Sequence, residues 1–149
     1  MQLEFRRLGP SDFPLLQNVD DEIFDYEVKE EFARRFLADD RNILIVARTG
    51  GRIIGQIVAI VHQHLDAPND LFIENLGVAE AWRRHGVARR LLGMAFEAGV
   101  AQRAVAAWVA TEEDNSLATG LYRATGASSG RFIMFSYSTL EVENAAGRR

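Results

Sequence analysis

Apolar and polar residues follow two different periods along the chain, and each period predicts one type of element. Short apolar runs, continuous or alternating with polar residues and bounded by Gly, Pro or polar clusters, are typical of strands. They occur at residues 3–8, 42–48, 53–61, 71–78, 105–109 and 131–140. Apolar residues three and four positions apart are typical of helices. They occur at residues 27–38, 86–99 and 115–125, and a further short helix is predicted after Gly9-Pro10.

The resulting order, β-α-α-β-β-β-α-β-α-β, predicts an α+β fold in which helices cover the faces of a mixed sheet. Gly50-Gly51 separates two of the apolar runs and predicts a hairpin between them. The sequence shows no repeat and no long linker, and its 149 residues favour a single domain over 1–149. Residues 144–149 are predicted to form a loose tail.

The composition argues against several classes of site and partner. Because the chain has no cysteine, a disulfide scaffold, a thiolate zinc site and a cysteine nucleophile are excluded. Three His residues give little basis for a zinc finger, and we predict no metal site. A net charge of −4 argues against a nucleic-acid partner. No apolar run approaches the roughly 20 residues of a membrane-spanning helix, and the first residues lack the order of a signal peptide, so we expect a cytoplasmic protein with no membrane partner.

The segment that follows the predicted strand 71–78 carries the strongest functional signal. Residues 83–88 are Arg-Arg-His-Gly-Val-Ala, and Arg89 and Arg90 follow. A strand, a tight turn and a helix N-terminus bring free backbone N–H groups and the positive end of the helix dipole to one place. Gly86 lets the backbone approach a ligand closely. Because Arg near a helix N-terminus opposes the dipole, the pattern favours a polyanionic ligand over a merely solvated helix face.

This segment resembles the pyrophosphate loop of the GCN5-related N-acetyltransferase (GNAT) superfamily, Gln/Arg-x-x-Gly-x-Gly/Ala, which Arg83-x-x-Gly86-x-Ala88 matches. Two further family motifs match on either side, Leu76-Gly77-Val78 before the loop and Asn115 with Leu121-Tyr122-x-x-x-Gly126-Ala127 after it. Ala88 and Ala127 replace the more frequent Gly and Phe. The likeness covers nearly the whole chain and is greatest for the small members that include aminoglycoside 3-N-acetyltransferases.

The resemblance implies a mostly antiparallel central sheet, helices on both faces, and acetyl-CoA bound between two splayed central strands, here 71–78 and 104–110. It implies that the backbones of Leu76, Gly77 and Val78 bind pantetheine. It also implies that the backbone amides of the loop bind the pyrophosphate, namely those of Arg83, Arg84, His85, Gly86, Val87 and Ala88. Asn115 is the candidate for a further hydrogen bond to the cofactor, with the N-cap of the following helix as its alternative role.

Two residues are the catalytic candidates by the same resemblance. Tyr122 would act as the general acid that protonates the departing thiolate. Glu74 would act as the general base, because strand alternation predicts a carboxylate on one largely apolar face with Phe72 and Leu76. A structural ion pair is the alternative role of Glu74. The alternative bases are His62, His64, Glu112 and a water chain.

The resemblance implies an N-acetyltransferase that moves an acetyl group directly from acetyl-CoA to a primary amine of a small molecule, such as an aminoglycoside. An acidic segment would attract such a cationic acceptor; its members are Asp20, Asp21, Glu22, Asp25, Glu27, Glu30 and Glu31. Of these, Glu27 and Glu30 fit a solvated helix end better. The alternatives are a non-catalytic acyl-CoA-sensing module and a protein N-terminal acetyltransferase. The oligomeric state is left open, with a homodimer among the options.

Overall fold

The computed structural model describes residues 2–147 and contains five strands and four α-helices within that range. The strands are β1 (Glu4–Arg7), β2 (Asn42–Thr49), β3 (Arg52–His62), β4 (Asp70–Val78) and β5 (Ala107–Val109). The helices are α1 (Glu30–Leu37), α2 (Val87–Ala101), α3 (Ser116–Ala124) and α4 (Thr139–Ala145). Two short 3-10 helices, Phe13–Gln17 and Glu80–Trp82, complete the elements, and the first of them takes the place of the short helix predicted after Gly9-Pro10.

The five strands form one sheet in the order β1-β2-β3-β4-β5. Strands β1 to β4 run antiparallel to one another in turn, and β5 runs parallel to β4. The predicted hairpin is formed by β2 and β3, and both Gly50 and Gly51 in its turn have a positive φ, which glycine adopts without steric cost. The predicted α+β fold with a mixed, mostly antiparallel sheet is confirmed.

Helix α2 packs on one face of the sheet, against β2, β3 and β4. The helix comes close to the sheet at two glycines. A Cβ at Gly55 would lie 3.1 Å from Val87, and one at Gly99 would lie 3.1 Å from Leu71. Most side chains on this face are buried, as Ile57 shows with 0% exposure. The burial holds β4 in place up to the turn that begins α2.

The opposite face of the sheet is covered near Ile23 by the chain that leads into α1. Gln56 on β3 is the buried polar residue of the core, and its Nε2 donates to the carbonyl of Ile23 at 2.7 Å. Gly77 on β4 lies directly under the same loop, where an added Cβ would collide with the Ile23 backbone. Gly77 therefore has a packing role in addition to any role toward a ligand.

The prediction of a strand at residues 131–140 is wrong. Residues 127–138 form no helix and pair with no strand, and α4 begins at Thr139, so it also includes two residues of the predicted tail, Asn144 and Ala145. Arg148 and Arg149 lie outside the described residues. The apolar pattern of 131–137 is typical of a strand, but a strand also needs a neighbour for its backbone hydrogen bonds. No strand within residues 2–147 lies beside it.

Candidate active site

Strands β4 and β5 separate after three paired residues. The pairs are Leu71 with Ala107, Phe72 with Trp108 and Ile73 with Val109. Beyond Ile73, β4 continues to Val78 beside β3, and no strand among the described residues pairs with its other side. Trp108 stacks on Phe72 at the point of separation, with ring centroids 4.4 Å apart. This is the splayed strand pair that the resemblance implies, and it leaves backbone polar groups of 74–78 facing the gap.

Glu74 lies at an irregularity in β4 that sequence alternation could not show. On β3, Val58 pairs with Asn75 and the next residue, Ala59, pairs with Ile73. Glu74 has no partner and is therefore the extra residue of a β-bulge. The bulge shifts Leu76 to the face that packs on α2, opposite to Phe72. Glu74 is exposed, and it makes no hydrogen bond or ion pair within residues 2–147. The alternative role as a structural ion pair is therefore not observed, and the carboxylate is available where the two strands separate.

The turn from Arg83 to Ala88 forms a cluster of free backbone donors. Gly86 is the N-cap of α2 and has φ 76°, in the left-handed region. Arg84, which also has a positive φ of 61°, reverses the chain two residues earlier. The first backbone N–H to donate within the helix is that of Arg90, to the Gly86 carbonyl. In the described chain, no N–H from Arg84 to Arg89 has an acceptor, so six consecutive donors surround a helix N-terminus.

Three of the four arginines at this turn are engaged within the protein. The side chain of Arg83 donates to the Val78 carbonyl at 3.1 Å, and its backbone N–H donates to Glu80. Arg89 donates to the Ala124 carbonyl at the end of α3. Arg90 lies over the ring of Phe5, with its guanidinium carbon 4.7 Å from the ring centroid.

Arg84 is the remaining arginine, and its guanidinium makes no hydrogen bond, ion pair or ring contact in the described chain. His85 supports the turn, because its Nδ1 lies 2.7 Å from the Arg83 carbonyl. A Cβ at Gly86 would have no atom within 4 Å, so open space adjoins the free donors. Within the described chain, Arg84 is therefore the arginine of this turn whose guanidinium is left for a ligand, beside the free donors of the helix end.

Helix α3 carries the other two candidates. The Oδ1 atom of Asn115 accepts from the Ala118 backbone N–H at 3.1 Å, which confirms the N-cap role. Its Nδ2 has no acceptor within residues 2–147, so a second bond is still open to it. Tyr122 is half-buried against the core, and burial raises the pKa of its hydroxyl. The raised pKa keeps the hydroxyl protonated across the neutral range.

The alternative bases lie elsewhere. His62 pairs with Asp70 at the start of β4, and His64 Nε2 lies 2.8 Å from Asp70 Oδ2. At about 3.3 Å per residue, this end of β4 is about 26 Å from Val78 at the other. The three side chains place possible metal-ligand atoms within 4.8 Å of one another. Glu112 is exposed in the loop before α3.

The acidic segment lies beside the splayed half of β4. Asp25 accepts from Asn75 at 3.4 Å, and the Glu22 carboxylate accepts from the backbone N–H of Glu80 at 2.7 Å. Glu30 is in the first turn of α1 and forms an exposed ion pair with Arg34, as expected of a solvated helix end. The sequence analysis did not identify Asn75, which accepts from Gln56 and holds this segment. The signal was a polar residue, Gln56, in an otherwise apolar strand, because a buried polar group requires partners.

None of the helices within residues 2–147 has the length and apolar character needed to cross a membrane.

Several solved structures share this fold at low sequence identity. The aminoglycoside acetyltransferase meta-AAC0020, from an uncultured soil metagenomic sample, has a TM-score of 0.81 in complex with trehalose and 0.79 with sisomicin. In both comparisons it is 18% identical, over 91% of this chain and 95% of that one. The aminoglycoside acetyltransferase HMB0005, also from an uncultured soil metagenomic sample, has a TM-score of 0.80 and 24% identity, over 93% of this chain and 100% of that one.

AAC(6')-Iy, solved with a bisubstrate analog of CoA and acetylneamine, has a TM-score of 0.78 and 16% identity, over 93% of this chain and 99% of that one. Among curated proteins, none matches the sequence. The model of the acetyltransferase (GNAT) family matches residues 11–127, which is most of the chain and includes the turn, Glu74, Asn115 and Tyr122. The chain therefore belongs to the GNAT family of acetyltransferases.

Proposed function

We propose that the protein transfers an acetyl group from acetyl-CoA directly to a primary amine of a cationic small molecule. The observation that carries the proposal is the row of six free backbone donors from Arg84 to Arg89, placed at the end of a strand that has separated from its neighbour. Donors in this arrangement suit a pyrophosphate. The backbone of Glu74 to Val78 lacks a strand on the side away from β3, although the Val78 carbonyl accepts from Arg83. This side suits the amides of a pantetheine arm, around Leu76 and Gly77.

The residues present fit acetyl-CoA, which would supply the activated acetyl group. Arg84 offers a guanidinium to a phosphate, and the Asn115 Nδ2 offers a further donor. The chain has no cysteine, the side chain that most readily accepts an acyl group from a thioester, and this favours direct transfer to the amine over an acyl-enzyme.

Tyr122 holds the proton for the departing thiolate. Its hydroxyl has no partner within residues 2–147, and burial raises its pKa, so at neutral pH the hydroxyl is in the protonated form that a general acid requires. A neutral donor of this kind is worth roughly 10²–10⁴ in rate.

Glu74 and the acidic segment form the acceptor side. The acceptor arrives as an ammonium ion, which the carboxylates of residues 20–31 attract. Glu74, exposed at the bulge, then accepts a proton from the amine directly or through water. The aminoglycoside acetyltransferases that share this fold support a polycationic amine as the acceptor class, and meta-AAC0020 was solved with one such compound, sisomicin.

Gly86→Glu should nearly abolish acetyl-CoA binding. The new side chain would place a carboxylate in the open space beside the free donors, where it repels phosphate. Calorimetric titration with acetyl-CoA measures the effect. Gly93→Glu is the matched control, because Gly93 lies in the same helix with no atom within 4 Å of an added Cβ. Equal affinity in Gly86→Glu and wild type, with the fold intact by circular dichroism, would contradict the cofactor site. Normal binding by the wild type without turnover of any amine would favour a sensor.

Substitutions of Asn115 should separate helix capping from cofactor binding. Asn115→Asp keeps the oxygen that caps α3 and removes the Nδ2 donor. It should retain stability and weaken acetyl-CoA binding several-fold. Asn115→Ala removes both groups and should also cost about 1 kcal/mol in the free energy of unfolding. Urea unfolding and calorimetric titration of both variants measure the two effects. Unchanged affinity in Asn115→Asp would leave Asn115 with the cap alone.

Tyr122→Phe should lower kcat by roughly 10²-fold or more while acetyl-CoA affinity changes little, since the proton is needed mainly in the transition state. The wild-type rate should fall as the pH rises past the raised pKa of Tyr122, because only the protonated hydroxyl donates. The variant should lack that alkaline limb. Steady-state kinetics over pH, with one amine acceptor, give both readouts. An equal loss of affinity and kcat would make Tyr122 a packing residue.

Glu74→Gln distinguishes a base from a positioning group. If Glu74 is the base, the variant should lose the acidic limb of the kcat/KM profile and roughly 10²-fold in rate. If Glu74 only positions the amine, the limb should survive and KM should rise. The pH dependence of kcat/KM decides between them. A wild-type rate and profile would exclude both roles and direct attention to His62, His64, Glu112 or a water chain.

A further inference from the structure

Two of the three histidines meet an aspartate where β3 leads into β4. His62 is the last residue of β3, and its register partner on the neighbouring strand is Asp70, the first residue of β4. His64 follows in the connecting loop, and its ring centroid lies 4.2 Å from that of His62. The cluster exists only in the folded chain, because pairing of the two strand ends brings the aspartate to the histidines.

Each oxygen of the Asp70 carboxylate lies near a nitrogen of one imidazole ring. His64 Nε2 is 2.8 Å from Asp70 Oδ2, which is a hydrogen-bond distance. His62 Nδ1 is 3.7 Å from Asp70 Oδ1, which is too long for one. Oδ1 is nevertheless buried, and it has no hydrogen-bond partner in the described chain. A buried carboxylate oxygen without a partner costs free energy, so a cation that reaches it is bound favourably.

We propose that His62, His64 and Asp70 bind a divalent transition metal, and that zinc suits these donors best. Imidazole nitrogens and carboxylate oxygens bind Zn²⁺ at about 2.0–2.2 Å, so neighbouring ligand atoms of a tetrahedral site are roughly 3.4 Å apart. The possible ligand atoms of the three side chains already lie within 4.8 Å of one another. The side chain of His62 is 55% exposed and has room to turn toward the other two. Water takes the fourth position.

This cluster differs from the metal sites that the composition argues against. A thiolate site needs cysteine, and a zinc finger without cysteine needs more histidines than the chain has. The expectation of no metal site was based on those two types, whereas two histidines, one carboxylate and water need neither. Mg²⁺ and Ca²⁺ prefer oxygen ligands, and two of the three donors here are nitrogen atoms. The donor set therefore favours zinc over either of them.

The charges around the cluster also permit a cation. Arg41 is the nearby positive group, since it donates to Gln63, the residue between the two histidines, at 3.1 Å. Its guanidinium is paired with Asp39 at 2.8 Å, so its charge is offset. Asp66 lies exposed in the same loop and adds a negative charge.

A metal at this position links the end of β3 to the paired end of β4 and β5. Asn69 precedes the ligand Asp70, and its side chain donates to the Gln102 carbonyl at 3.0 Å. Its own carbonyl accepts from the backbone N–H of Val105, close to the start of β5. The loop is therefore already tied to the segment that leads into β5. The metal adds a third attachment, from β3, and stabilises the end of the sheet where β4 and β5 still pair.

The metal takes no part in acetyl transfer. At about 3.3 Å per residue, Asp70 lies about 13 Å from Glu74 along the strand. A histidine that ligates a metal cannot accept a proton from an amine at the same nitrogen. Occupancy therefore removes His62 and His64 from the alternative bases.

Titration of the full chain with Zn²⁺, after any affinity tag has been removed, tests the proposal. Calorimetry should show one Zn²⁺ bound per chain, and Mg²⁺ should give no binding at the same concentrations. His62→Ala, at a largely exposed side chain, and Asp70→Asn should each weaken zinc binding roughly tenfold or more. His85→Ala is the matched control. It removes the third histidine, in the turn that begins α2, and should leave zinc affinity unchanged.

Two further measurements identify the ligands. Zinc at a hundredfold excess over its Kd should raise the Tm of the wild type and of His85→Ala by about 5 °C or more, but not that of the other two variants. In NMR spectra, zinc should shift the ring signals of His62 and His64 and leave those of His85 in place.

Two outcomes would overturn the proposal. One is a wild-type chain that binds no zinc. The other is unchanged zinc affinity in His62→Ala, since the metal would then be held elsewhere, for example by the acidic segment. If Asp70→Asn does not fold by circular dichroism, His62→Ala and the NMR spectra of the wild type decide.

Discussion

The site depends on one constraint, the limit of three residues on pairing between β4 and β5. A strand that loses its neighbour inside a protein must satisfy its backbone groups in another way. Helix α2 holds β4 from one face and the Ile23 loop covers it from the other, so β4 stays extended to Val78 without β5. The gap therefore has a fixed wall, and the turn that begins α2 lies at its end. The free donors of the turn therefore adjoin the unpaired backbone of β4.

The buried Gln56 connects the core to the acidic segment, which is the acceptor side of the proposed reaction. Its amide nitrogen donates to Ile23 and to Asn75, and Asn75 donates to Asp25. The chain of bonds ties the acidic segment to the core strand β3. The Oε1 atom of Gln56 is buried without a partner in the described chain, which costs free energy of folding that an apolar side chain would not. The negative charge that would attract an amine is thus positioned from inside the core.

Most of the fold could be predicted from the sequence, because α2 and β2 to β4 have strong local periods and clear turn residues. The loop at 83–88 could also be predicted, since its glycine and its place between a strand and a helix are local features. The bulge at Glu74 could not, because an extra residue changes which face a side chain takes without changing the apolar pattern.

The contacts of Arg83, Arg89 and Arg90 could not be predicted from the sequence either. Arg83 donates to a backbone carbonyl, and the partners of Arg89 and Arg90 are distant in sequence. The strand expected at 131–140 failed for a different reason. Strand propensity is local, whereas a strand also needs a neighbouring strand for its backbone hydrogen bonds. Within residues 2–147, no strand pairs with this segment.

The two tryptophans of the sequence lie at the two ends of the part of β4 that has no partner in β5. Trp82 ends the 3-10 helix directly before the turn, with its ring centroid 6.1 Å from that of His85, while Trp108 stacks on Phe72 where β4 and β5 separate. Indole emission responds to the polarity around the ring. The molecule consequently contains two optical reporters. Replacing one tryptophan with phenylalanine leaves a signal from the start of the turn alone or from the end of the β4–β5 pairing alone, without any attached dye.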